Sequence, residues 1–140
     1  MRIAILFLAA LAPLLGACGA QEPAAPAPVR WMEAKPSPVI DSLQAAVVER
    51  PAPDRVVLEA RWGASAINGA CGVDLGLPAG VLIVEGEEQL IIDPRNDEHR
   101  ARWVLEFPRD GRTLDAVVRY CVQTDEGMRA AQCAVRLTDG

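Results

Sequence analysis

The chain has 140 residues, with 14 basic and 19 acidic side chains, a formal charge of −5, four cysteines and a single histidine. An acidic protein gains nothing from phosphate backbones, whose affinity rests on neutralisation by Lys and Arg, so nucleic acid is excluded as a partner class. One histidine leaves little material for acid–base or metal chemistry, and the length allows one modest core rather than two.

Arg2 gives the N-terminus a positive charge, and Ile3 to Leu15 is an apolar run broken only by Pro13. Its thirteen residues fall short of the roughly 20 that a bilayer-spanning helix needs and match a secretory h-region. Leu15-Gly16-Ala17-Cys18 then resembles the lipobox of bacterial lipoproteins, with leucine three positions before the cysteine and a small residue just before it. The resemblance covers residues 1–18. It implies a signal peptide over 1–17, cleavage after Ala17, and a diacylglyceryl thioether with an N-acyl chain on Cys18. Two or more acyl chains hold stably, since each buried methylene contributes about 0.8 kcal/mol. Gly19 stands where that family's inner-membrane retention signal places Asp, which implies the outer membrane with the protein facing the periplasm. The alternative is an ordinary secretory signal cleaved after Ala20, releasing a soluble periplasmic protein.

Gly19 to Pro28 (GAQEPAAPAP) carries no core-forming residue. Its composition favours extended polyproline conformation at about 3.1 Å per residue, a spacer on the order of 30 Å. Residues 18–36 are therefore expected to be anchor and tether, and 37–140 a single globular domain. Ser37 as N-cap, Pro38 at the first helical position and Ile40, Leu43 and Val47 on one face predict a helix that stops at Arg50-Pro51.

Beyond Pro53 the period changes to two. Val56, Leu58, Ala60 and Trp62 face one side while Glu59 and Arg61 face the other, a half-buried strand. Gly63 to Gly80, rich in Gly and Ala, reads as a long loop. Val81–Val84 and Leu90–Ile92, separated by Gly86-Glu87-Glu88, read as a hairpin covered on both faces. Trp103, Leu105 and Phe107 alternate, Pro108–Gly111 is a turn, and Leu114 to Val122 forms the next stripe. Cys133 to Leu137 gives a sixth strand. The expected fold is mainly β, a small antiparallel β-sandwich or barrel-like domain with one N-terminal helix. Tyr120-Cys121 before the last hairpin is similar to immunoglobulin-like sandwiches. That family, however, places Tyr two residues before its second Cys and a Trp after the first, so only the architecture class is taken.

Export favours disulfides over thiolate metal sites. Cys121 and Cys133 flank the turn Asp125-Glu126-Gly127 and are the expected pair, a bridge contributing roughly 3 kcal/mol. Cys71 is then the odd thiol, with Cys71–Cys121 and Cys71–Cys133 left open.

No catalytic set emerges. Asp93, Asp97 and Glu98 near His99 lack the glycine-punctuated spacing of a calcium loop, and a solvated loop explains them. Gly63-Ala64-Ser65-Ala66 begins like a nucleophile elbow, but Ile67 occupies the second glycine's place. Without a C-x-x-C pair, three cysteines and His99 make a poor zinc site. Trp62 and Trp103 fall on core stripes, whereas Trp31 lies in the tether. The expectation is therefore an envelope lipoprotein whose domain binds or scaffolds without catalysis, and without metal or cofactor. Its partner would be an envelope protein or a cell-wall polymer, met through loops 63–80 and 93–100. The alternative is a small cell-wall hydrolase or transpeptidase using Cys71 as nucleophile and His99 as base.

Overall fold

A computed structural model describes residues 28–35, 37, 39–64, 71–92 and 99–139. The strands are β1 Met32–Glu33, β2 Ile40–Ala52, β3 Arg55–Ala64, β4 Cys71–Gly76, β5 Leu82–Glu85, β6 Gln89–Ile92, β7 Arg100–Glu106, β8 Asp115–Thr124 and β9 Gly127–Arg136. They form two antiparallel sheets, one in the order β1-β2-β3-β7-β5 (sheet A) and one in the order β6-β4-β8-β9 (sheet B). Their inner faces share one hydrophobic core, so the domain is a β-sandwich.

Alternation builds that core. In β3 the side chains of Val56, Leu58, Ala60 and Trp62 are buried, and in β8 those of Ala116, Val118, Tyr120 and Val122. The Trp62 and Tyr120 rings stack across the gap between sheets at 5.8 Å and 28°, a pairing worth about 1 kcal/mol beyond its area. All six strands expected from the sequence are present.

Four expectations need correction. The segment expected as a helix from Ser37 is strand β2. Register against β3 slips by one residue between Ile40 and Ser42 and again between Val47 and Glu49, which marks β-bulges. An extra residue turns a spacing of two into three, so Ile40 and Leu43 both reach the core and imitate a helical stripe. Ser37 does cap: its Oγ accepts the Ile40 N–H at 3.1 Å, but the chain it steadies enters a strand.

The domain also begins earlier than residue 37, because Met32 and Glu33 pair with Ala45 and Gln44. Trp31 belongs to it too, with the Arg61 guanidinium lying 4.2 Å over its ring.

Part of the expected loop 63–80 is β4, an interior strand of sheet B. Cys71, Val73 and Leu75 are buried, and Gly72, Asp74 and Gly76 occupy the other face. Glycine at the outward positions had hidden the period of two.

Finally, β5 and β6 are not a hairpin. They are edge strands of different sheets, and Ile91 is 93% exposed. The chain between them crosses from one sheet to the other over Trp103, whose Nε1 donates to the Glu87 carbonyl at 2.7 Å. Gly86 makes the crossing possible at φ +106°, where an added Cβ would lie 2.6 Å from Trp103 Cδ1. Gly111, in the expected turn 108–111, also has positive φ but nothing within 4 Å of such a Cβ.

These two glycines separate backbone strain from steric conflict. Gly111→Ala should cost about 1 kcal/mol from the left-handed backbone alone. Gly86→Ala adds overpacking against a buried indole and should cost about 2–4 kcal/mol. Urea unfolding followed by tryptophan fluorescence measures both, and equal losses would contradict the packing described.

Candidate functional site

Cys18 lies outside the described residues, as do Ser65 and Asp93 to Glu98. The other singled-out residues have definite places. Cys121 sits opposite Ala130 and Cys133 opposite Val118, so their registers differ by three along the β8–β9 ladder. An odd offset points side chains to opposite faces of a sheet: Cys133 is buried in the core and Cys121 lies on the outer face. A disulfide needs Cβ vectors that converge over a Cα separation of about 4.4–6.8 Å. The expected Cys121–Cys133 bridge is therefore not formed, and both thiols are unbridged. The open alternatives fare no better. Cys71 and Cys121 belong to opposite faces, with Gly72 as the residue across from Cys121. Cys71 and Cys133 have the whole of β8 between their strands.

Cys71 works inside the core. Its Sγ lies 3.4 Å from the Ile92 carbonyl oxygen and shares a hydrogen bond with the Tyr120 hydroxyl. Burial, together with the neighbouring Cys71 sulfur, pushes the Tyr120 phenol up to about 12. His99 is exposed at the head of β7 in the other sheet, and its backbone carbonyl accepts the backbone N–H of Trp62 at 3.0 Å. Its role in the ladder is that of a backbone, while the Cys71 thiol is withdrawn from solvent.

Tyr120 is the chain's single tyrosine, so absorbance at 295 nm reports it alone. A proton held more tightly in the fold stabilises it fully below the unfolded value near 10, and this contribution is lost as pH rises towards 12. Tyrosinate should therefore form only close to pH 12 or together with alkaline unfolding. Ionisation near pH 10 with the fold intact would show that the phenol is not buried.

Among the described residues, two surfaces are open to another molecule. The first is a groove of about 860 Å³ between β2 and β9. Val47, Val48 and Arg50 line one wall, Ala134 and Arg136 the other, and Pro28, Val29, Arg30 and Met32 border it. Both walls are strand edges. Strand β9 ends sheet B, and β1 covers β2 only at Gln44 and Ala45. The bulge after Val47 supplies Val48 as the extra residue and turns it to the groove. Arg50 closes one end, reaching the Leu137 carbonyl at 2.7 Å and Asp139 at 3.2 Å. Residues 87 positions apart meet here, which is why no local sequence pattern announced it.

The second surface is the outer face of sheet B. Pairing places Gln89, Asp74, Arg119 and Gln132 in one row across four strands. The row on one side is Ile91, Gly72, Cys121 and Ala130, and on the other Gly76, Val117 and Ala134. A depression of about 300 Å³ opens among Asp74, Gly76, Val117 and Arg119. Burial raises the Cys121 thiol most, with Asp74 adding to the rise and Arg119 opposing it. No cluster of His, Cys, Asp and Glu suited to a metal ion occurs among the described residues.

The described residues thus form an antiparallel sandwich with a groove between strand edges and an open outer face. No family model and no curated protein matches the chain. Among solved structures it is similar to the GAE domain of GGA2p from Saccharomyces cerevisiae, at 8% identity and a TM-score of 0.50, covering 79% of this chain and all of the other. At that identity the likeness is one of fold.

The thiols provide a check on the faces. In dilute native protein a maleimide should modify Cys121 well before Cys71 and Cys133, and non-reducing peptide maps should lack a 121–133 bridge. Asp74→Asn should speed the Cys121 reaction and Arg119→Gln should slow it, since only thiolate reacts. Simultaneous labelling of all three would contradict the assignment of faces.

Proposed function

We propose that the protein is a lipid-anchored lipoprotein of the bacterial envelope, held through Cys18 on the periplasmic side of the outer membrane. Its sandwich is a binding module without catalytic activity. The groove between β2 and β9 supports this reading most directly, because it pairs two open strand edges beside the segment that leads back to Cys18. Open edges offer backbone donors and acceptors to an extended polypeptide, the β-addition mode of recognition. A disordered or looped stretch of another envelope protein fits such a groove better than a cell-wall polymer, which lacks a regular run of backbone amides. Pro28 lies only ten positions after Cys18, so the groove would lie within about 35 Å of the lipid surface. The burial of Cys71 weighs against the cell-wall enzyme, since its thiol cannot meet a polymer without opening the core.

Anchor and groove are tested separately. Cys18→Ala should move the protein from the membrane fraction to the soluble periplasm and remove the acyl mass from its N-terminal peptide. An unacylated native N-terminus would end the lipoprotein reading. A photo-crosslinking residue at Val48 should yield, in intact cells, one discrete adduct with an envelope protein. The same residue at Leu82, exposed on β5, should not. Identical adduct patterns at both positions, or none at Val48, would overturn the groove as the binding site.

A further inference from the structure

We infer that the outer face of sheet B is a self-association surface, and that its occupant is a second copy of this chain stacked about a two-fold axis running between β4 and β8. The order of residues along each row points to that symmetry. Reflecting Gln89–Asp74–Arg119–Gln132 across the line between β4 and β8 exchanges Gln with Gln and Asp74 with Arg119. Two copies stacked face to face about that axis thus place each Asp74 against the other copy's Arg119, twice. Neither residue belongs to an ion pair within the chain among the described residues. Such reciprocity is what an isologous interface requires, because each residue must meet its counterpart's partner.

Size follows the same rule. In the flanking rows the operation sets Gly72 against Cys121, Gly76 against Val117, and the 93% exposed Ile91 against Ala130. Each small residue faces a larger one, and the depression beside Gly76 is where the other copy's Val117 enters. Glycine weakens the interior of a strand and often marks close approach by another backbone. Here Gly76 stands at an outward position of an interior strand with only ordinary contacts to Val117 around it, whereas Gly72 already answers to the Leu90 carbonyl, 3.0 Å from where its Cβ would lie. Packed sheets lie about 10 Å apart with strands within about 30° of alignment, and a floor of small side chains suits that approach. A lipid surface would need no alternating acid and base, and an unrelated protein would need no mirror order. None of these contacts depends on the lipid anchor.

Sedimentation equilibrium on the whole chain from Cys18 onward, carrying Cys18→Ala so that no acyl group drives association, tests it. The protein should be a dimer whose dissociation constant rises at least about tenfold with Arg119→Asp and likewise with Asp74→Arg, each of which creates two like-charge contacts. The exchanged double variant Asp74→Arg/Arg119→Asp should restore dimerisation to within a few fold of the parent. Near-ultraviolet circular dichroism establishes that each variant is folded. A parent that stays monomeric up to millimolar concentration would overturn the inference. So would folded single variants that dimerise as the parent does, or a folded double variant as weak as the singles.

Discussion

Two sheets bury one face of each strand against the other, and the stacked rings of Trp62 and Tyr120 are where that contact is most specific. Because strand side chains alternate, fixing one residue of a strand in the core fixes the direction of every other. Tyr120 inward makes Cys121 outward; Val118 inward, opposite Cys133, makes that cysteine inward as well. The same parity sends Arg119 and, across the ladder, Asp74 to the outer face. The core contact thus decides which side chains the surface has to work with.

The strands legible from alternation are those whose outward residues are polar, while β5 and β6 show only as short apolar runs. Glu59 and Arg61 betray β3, and Arg119 and Gln123 betray β8, because a polar residue between two buried ones is the mark of a strand with one wet face. Strand β4 escaped because Gly72 and Gly76 stand at its outward positions, and glycine is also the usual signature of a loop. Strand β2 escaped for a different reason. Its bulges shift the period locally, and Ile40, Leu43 and Val47 then match a helix as well as they match a bent strand. The β5–β6 crossing could not be told from a hairpin, since a glycine with positive φ serves both. What sets the crossing is Trp103, 17 residues downstream of Gly86 in the sequence but packed directly beneath it.

The cysteines obey the sheet before they obey the compartment. An exported chain would favour a disulfide, and flanking a turn makes Cys121 and Cys133 the natural pair. Strand parity is the stronger constraint, because no side-chain rotation carries a sulfur through a sheet. Freed from bridging, Cys71 and Cys133 behave as small core residues, and buried cysteine commonly does so. The hydrogen bonds linking Tyr120, Cys71 and Ile92 add a polar thread that keeps the phenol satisfied where water is excluded.

Neither the groove nor the outer face of sheet B could be found by scanning for motifs, because each is assembled from several strands. They differ in what they ask of a partner. The groove presents backbone edges, which would suit any extended chain and leave specificity to the side chains around them. The face presents fixed charges and matched volumes, which recognise one arrangement. If chains are confined to a membrane by a short tether, their encounters become far more frequent than in solution, so even a modest self-affinity is amplified. Pairing through sheet B would then set two β2–β9 grooves on one assembly, and a partner with two extended segments would gain avidity without any new contact. The value of the charged row lies in that register: an Asp74–Arg119 exchange fixes how two copies align, while the small residues around it supply the close approach.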